Sequence, residues 1–286
     1  MMPIAPKLPS LFSHSQGNGP LVVCIHSSTG SHAQWRALTE SLSGRCQMLG
    51  VDLHGHGRSP AWPAFTPASL QVDAQAVARI AHAAQHGAAH EGVHLVGHSY
   101  GAAVALQLAL SQPRWVRSLT LYEPVAFGVM RRASPDDAAL AEVESVAARV
   151  AALVSQDELL EAARVFASYW SGESAWAGMN QVQRATMATR MATVPLHFRA
   201  LFAATWDAPL LAALRMPVLL MKGSHTRASA ARVAELLQAA LPRAISVELS
   251  GAGHMGPLTH SSAVVRETQA HLQQVGALAT PMRAAA

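Results

Sequence analysis

The sequence predicts an α/β fold, a mainly parallel central sheet flanked by helices, with an inserted helical cap late in the chain. Three observations predict it. Short apolar runs alternate with helix-forming stretches through the first 125 residues, the rhythm of right-handed strand–helix–strand crossovers. The run Leu21–Ile25 is apolar without interruption, as expected of a parallel strand covered on both faces, and 93–96 is a second short, largely apolar run. Residues 126–214 then carry helix signals and no convincing strand, and the strand pattern resumes at Pro217. The expected organisation is a sheet domain of residues 1–125 and 215–286 with a helical cap of residues 126–214 inserted in it.

In chain order, residues 8–14 are expected as a short edge strand ahead of a polar turn at 15–20. After Leu21–Ile25 comes His26-Ser27-Ser28-Thr29-Gly30, a loop of small residues whose backbone amides can approach a ligand. Ser31 with Gln34 fits a capping box for a helix through Ser41. A strand at 48–51 runs into the glycine-punctuated loop Asp52-Leu53-His54-Gly55-His56-Gly57-Arg58-Ser59. Thr66-Pro67 reads as a cap followed by proline at the first helical position, opening a helix to about Gln85. The strand at 93–96 and a helix over 102–110 follow, then the strand Val116–Tyr122, which Glu123-Pro124 ends.

Within the helical stretch, Ser134-Pro135-Asp136-Asp137 starts one helix and Ser155 with Glu158 caps another. A third helix covers 181–193 and a fourth follows Pro195, with Trp170, Trp176 and Trp206 in the same region. A strand at 217–221, a helix at 229–241, a strand at 245–249 and an amphipathic helix Ser261–Gln274 return the chain to the sheet domain. Residues 277–286 read as a frayed tail.

Between the strand at 93–96 and its helix lies Gly97-His98-Ser99-Tyr100-Gly101. A strand can turn straight into a helix only through a cramped backbone, so the residues flanking the turn must lack bulk. The two glycines meet that need. Ser99 would then stand at the tip of the turn with its hydroxyl exposed above the sheet, the position of a nucleophile.

Composition narrows the function classes. Half of the 286 residues are hydrophobic and 13% are charged, enough for one large globular domain or a domain with an insertion. The net charge of +4 comes from scattered basic residues, and only 5% of residues are aromatic, so no stacking platform for nucleic acid is visible. His54-Gly55-His56 has only Asp52 near it among acids, which does not make a metal-ligand spacing, and no cofactor is implied. Cys24 and Cys46, the only cysteines, are expected as buried thiols. The start, MMPIAPKLPS, lacks the basic-then-apolar order of a signal peptide, and no apolar run approaches the ~18 residues of a membrane span. A cytoplasmic protein acting on a small molecule, with no nucleic-acid or membrane partner, is the expectation, and the oligomeric state stays open.

Taken together, His26-Ser27 before its small-residue loop, the segment from Asp52 to Ser59, the turn at Ser99 and Gly251-Ala252-Gly253-His254 resemble the α/β-hydrolase fold superfamily along nearly the whole chain. The resemblance implies a serine hydrolase with His254 as the base that takes the proton of Ser99. His260 is a weaker rival, and His98 is read as packing. The acid departs from the common pattern. Many members carry Asp in the loop matched here by Gly223-Ser224-His225-Thr226-Arg227, which contains none. Some relatives place it after the preceding strand, where this chain has Glu123, and the order Ser, Glu, His is then kept. Asp207 is the alternative, and a dyad without an acid is another.

The resemblance also implies an oxyanion hole made by the backbone N–H groups of Tyr100 and Ser28. The activity it points to is cleavage of an ester, thioester or lactone of a small, largely apolar acyl compound. Carbon–carbon bond hydrolases, perhydrolases and acyltransferases share the same serine machinery, and a non-catalytic binding member of the fold is the alternative from another class. Relatives that act on epoxides or haloalkanes use Asp where this chain has Ser99.

Overall fold

The computed structural model describes residues 10–85 and 92–278. Among the described residues seven strands are β1 Ser13–Gln16, β2 Leu21–Ile25, β3 Gln47–Val51, β4 Val93–His98, β5 Val116–Tyr122, β6 Val218–Gly223 and β7 Ala244–Leu249. They form one sheet in the order β1-β3-β2-β4-β5-β6-β7. Only β1 runs antiparallel to its neighbour; every other pairing is parallel.

Side chains two apart along each strand enter the same core. Leu21, Val23 and Ile25 join Leu95, Leu119, Leu121, Val218 and Leu220 in one cluster. Val22 and Cys24 join Val96, Leu219, Met221 and Tyr122 in the other. This period of two, apolar on both faces, is the physical reason the strands read as unbroken hydrophobic runs. One face is covered by α1 Arg36–Leu42 and the final helix Ser261–Gln274, which contribute Leu38, Leu42, Val264 and Leu272. The other is covered by α2 Leu70–Ala84 and α3 Tyr100–Ser111.

Between β5 and β6 the chain makes α4 Phe127–Ala133, α5 Ala138–Ser155, α6 Leu159–Ser171, α7 Glu173–Gly178, α8 Gln181–Ala188, α9 Val194–Ala203 and α10 Ala208–Ala212, and no strand. After β6 come α11 Ala228–Ala240, α12 Gly256–Thr259 and α13, the helix already given as Ser261–Gln274. Cys24 and Cys46 are free, buried thiols. No helix among the described residues is long and apolar enough to cross a membrane.

Several local expectations are corrected. The edge strand starts at Ser13 and occupies part of the expected turn; residues 8 and 9 lie outside the described residues. Ser31 makes no side-chain cap, because Gln34 Oε1 accepts instead from the Ser27 N–H at 3.2 Å and the Ser27 hydroxyl at 2.9 Å. The segment therefore opens as a 3-10 turn at His32–Trp35 before α1. Thr66-Pro67 does not start α2; Ser69 caps it, its Oγ accepting from the Gln71 N–H, while the Thr66 carbonyl takes the Trp62 indole N–H. Ser155 is the last residue of α5 and donates back to the Ala152 carbonyl, so it cannot cap α6. Asp137 does cap α5. Asn180 with Gln183, not anticipated, forms the capping box of α8. Ala277 and Leu278 are buried against the α13 face rather than frayed, and 279–286 lie outside the described residues.

Candidate active site

The order of the strands sets the place of the site. The chain turns outward on one side from β2 to β3 and on the other from β4 to β5, so β2 and β4 are neighbours whose following loops diverge. Such a switch leaves a crevice beyond the carboxyl ends of the strands. Ile25 pairs with Gly97, which brings the His26–Gly30 segment beside Ser99.

Ser99 caps α3 with φ 55° and ψ −121°, a left-handed conformation that a serine adopts only under constraint. The constraint is close approach. A Cβ on Gly97 would stand 2.6 Å from Ala102 Cα, and one on Gly101 would run into the carbonyl oxygens of His26 and Ile25. The Ser99 N–H donates to the Tyr122 carbonyl at 3.0 Å, tying the turn to the end of β5.

From there three side chains line up. His254 Nε2 is 2.9 Å from Ser99 Oγ, and His254 Nδ1 is 2.7 Å from Glu123 Oε2. A carboxylate can only accept, so Nδ1 carries the proton and the Nε2 lone pair faces the serine hydroxyl. All three are buried, Glu123 completely. Glu123 sits at φ 42° with its N–H donating to the Met221 carbonyl at 2.8 Å, and this bend leans it across the end of β6. There Oε1 accepts from the Gly223 N–H at 2.8 Å and Oε2 from the Thr226 hydroxyl at 2.6 Å. Burial alone would raise the Glu123 pKa, but the His254 hydrogen bond and charge, with Thr226 and Gly223, hold it below the usual carboxylate range. The loop that lacks an acid thus supplies the donors that keep Glu123 ionised.

The histidine is held by its backbone as well. Tyr122 Oη donates to the Gly253 carbonyl at 2.7 Å, and His98 Nε2 donates to the His254 carbonyl at 2.8 Å. Burial drives the His98 pKa well below its ordinary value, which keeps the ring neutral with its proton on Nε2. The Trp170 ring stacks on His254 at 3.9 Å.

Ser28 and Tyr100 flank the serine, and the backbone N–H of each is left without an acceptor among the described residues. Ser28 Oγ lies 2.8 Å from Nδ1 of His197, which comes from α9. His260 and Asp207 are elsewhere engaged. His260 Nδ1 bonds Thr259 Oγ1 at 2.9 Å, and Asp207 Oδ1 accepts from the Leu210 N–H at 2.8 Å as the cap of α10. Asp52 accepts from the backbone N–H groups of His32 and Arg58, so it fixes its own loop. No group of three or more His, Cys, Asp or Glu side chains among the described residues is arranged to hold a metal ion.

A cavity of about 400 Å³ lies over Ser99 and His254, walled by Phe166, Trp170, Met187 and Arg190 from the helical segment. A second compartment of about 10 Å³ lies inward of Ser28 and Ser99, lined by Phe127, His197 and Leu201. That is room for about one water-sized group. Thr226, His197, Trp170 and Arg190 carry no motif; only the fold assembles them around the serine.

A profile of the alpha/beta hydrolase fold matches residues 20–261. Over 115 residues, 39% of each protein, the chain is 38% identical to a pimeloyl-[acyl-carrier protein] methyl ester esterase of Methylococcus capsulatus. It is 34% identical to lipase LipV of Mycobacterium tuberculosis over 39% of this chain and 41% of that one. The matches thus span about two fifths of those relatives' lengths. Among solved structures, a thermophilic esterase from Thermogutta terrifontis superposes with a TM-score of 0.74 at 22% identity, covering 93% of both chains. The sheet order, the strained serine turn and the profile match agree, and the chain belongs to the alpha/beta hydrolase fold family.

Proposed function

We propose that the protein is a serine hydrolase that cleaves an ester, thioester or lactone of a small, largely apolar acyl compound. The observation that carries the reading is the continuous line Ser99 Oγ–His254–Glu123, at 2.9 and 2.7 Å, at the floor of a cavity. In this reading Ser99 Oγ attacks the carbonyl carbon while His254 Nε2 takes its proton. The N–H groups of Ser28 and Tyr100 receive the oxyanion, each worth roughly 2.7–4 kcal/mol of barrier by analogy with removed donors. Glu123 stays ionised, holds the ring's orientation and stabilises the imidazolium. The imidazolium then returns the proton to the departing alcohol or thiol. Water repeats the attack on the acyl-enzyme with His254 as base, freeing the acid and Ser99.

Residues 126–214 act here as a cap on a sheet domain made of 1–125 and 215–286. The presence of Phe166, Trp170, Met187 and Arg190 over the serine supports this. The compartment beside Ser28 limits the group on that side to something small. The esterase activities named for the relatives support the same class of reaction. A cytoplasmic location belongs to the proposal and is supported by two free thiols.

Turnover of p-nitrophenyl acetate and butyrate by the wild type, Ser99→Ala and Glu123→Gln tests it. Loss of turnover by orders of magnitude in both folded variants is expected. A wild type without turnover that is also inert to a fluorophosphonate would overturn the reading in favour of a binding protein.

A further inference from the structure

Arg190 is the only Asp, Glu, Lys or Arg side chain on the cavity wall among the described residues. It stands just after α8, half-buried, and reaches into the loop that carries Ser28. Nη1 donates to the carbonyl of Thr29, a residue in the left-handed region at φ 62°, and to that of Gly30 at 3.3 Å. One nitrogen of the guanidinium is thereby used. Nε and Nη2 have no partner among the described residues.

The contrast with other arginines of the helical segment is informative. Arg131, Arg132 and Arg164 lie at the surface, where pairing contributes little, yet each meets a carboxylate: Glu144, Asp207 and Glu161. Arg184, like Arg190, rests on main-chain carbonyls, those of Trp176 and Ala177, but it is not on the cavity wall. Arg190, partly withdrawn from water where a counterion matters more, has none within 4.0 Å among the described residues. The acid whose field reaches it, Asp52, is already committed to the His32 backbone N–H at 2.6 Å, the His32 ring at 2.9 Å and the Arg58 N–H at 2.9 Å. A guanidinium held by main-chain carbonyls with two nitrogens left over is a preorganised fork for a planar anion. Much of the wall is apolar, with Phe166, Ala167, Met179, Val182, Met187 and Leu258, which suits a hydrocarbon spacer; Ser171, Gln183 and Thr186 add polar groups but no second arginine or lysine.

We propose that Arg190 receives a carboxylate of the substrate, so that the preferred compounds are half-esters, acyl compounds carrying a free carboxylate as well as the scissile carbonyl. This rests on the hydrolase reading for the scissile bond, but not for the binding of the anion. The apolar spacer lies along the outer cavity, and the small inner compartment takes the short group on the other side of Ser99.

Binding measured without turnover separates the two. Calorimetric titration of Ser99→Ala with monomethyl glutarate and with dimethyl glutarate is expected to show at least about tenfold tighter binding of the monoester, weakened by salt. Ser99→Ala/Arg190→Gln is expected to lose that preference. Arg190→Lys keeps the charge but has one nitrogen to divide between loop and ligand, so it is expected to lose most of it. The inference is overturned if the monoester binds no better than the diester, if the preference survives Arg190→Gln, or if Arg190→Gln weakens both ligands alike, as a mere loop support would. Failure of the wild type to hydrolyse any ester would count against the hydrolase reading alone.

Discussion

The ring of His197 stacks on the ring of Tyr100, with centroids 3.6 Å apart and the planes 8° from parallel. The same imidazole bonds Ser28 Oγ at 2.8 Å, so one residue of α9 touches both residues whose backbone N–H groups flank Ser99. Tyr100 is fixed from its other end, its hydroxyl donating to Asp73 at 2.9 Å. Burial, with His56 and His26 nearby, holds the His197 pKa well below its ordinary value and keeps the ring uncharged.

In the proposed mechanism, where the N–H groups of Ser28 and Tyr100 receive the oxyanion, His197 would serve as a positioning residue. His197→Ala is expected to lower kcat by about ten- to a hundredfold, less than outright loss of a donor, with a small change in KM. Steady-state kinetics on p-nitrophenyl butyrate checks it. A variant with raised KM and unchanged kcat would reduce His197 to a wall of the cavity.

Glu123 and Asp207 are separated by their surroundings. Glu123→Gln removes the charge that would stabilise the imidazolium and sets an amide N–H against either the Gly223 N–H or the His254 Nδ1 proton, and it is expected to cost kcat about a thousandfold or more. Asp207→Ala removes the cap of α10 and a surface pairing with Arg132, expected to cost about 0.5–2 kcal/mol of stability and to leave kcat within about twofold. Comparing melting and turnover for the two variants decides it. Substantial loss of turnover in Asp207→Ala would contradict the assignment of the acid.

The serine turn admits no added carbon. Gly101→Ala would drive a Cβ into the β2 backbone at Ile25 and His26, and Gly97→Ala one against Ala102. Each is expected to cost about 1–3 kcal/mol and to lower turnover by more than the stability loss explains, because the turn must shift. Thermal melts alongside kinetics provide the check, and an unaffected kcat would show that the turn tolerates the shift.

Buried histidines should make the fold acid-sensitive. Burial lowers the pKa to about 4 at His26, His94 and His271 and to about 3 at His56. Unfolded histidine titrates near ~6.5, so between about pH 6.5 and 4 the unfolded chain binds more protons than the native one. Stability is therefore whole above about pH 6.5 and falls as the pH drops through this window, each such group adding up to about 1.4 kcal/mol per pH unit. Chemical denaturation at a series of pH values should report uptake of several protons on unfolding near pH 5. A flat stability between pH 7 and 4.5 would contradict the buried, neutral assignment.

Much of this was legible in the chain because the relevant signals are local. The unbroken apolar run Leu21–Ile25 is a strand, and two glycines around Ser99 are a strand-to-helix turn. Glu123 was legible through the resemblance, since the loop Gly223–Arg227 holds no acid and some relatives carry theirs after the preceding strand; its bond to Gly223 shows why a carboxylate leaving β5 can reach the same place. Helix starts misled where a polar side chain had two possible partners. Gln34 was drawn to Ser27, and the Ser155 hydroxyl to its own helix. His197 and Arg190 were silent because their partners, Ser28 and the Thr29–Gly30 carbonyls, lie 160 to 169 residues earlier and meet them only through packing of the helical segment.

The most direct test of the central claim is intact-mass analysis of the protein after treatment with a fluorophosphonate, followed by peptide mapping. The proposed machinery predicts a single adduct on Ser99, formed quickly by the wild type, strongly slowed in Glu123→Gln and absent in Ser99→Ala. No adduct on a folded wild type, or one on a serine other than Ser99, would contradict it.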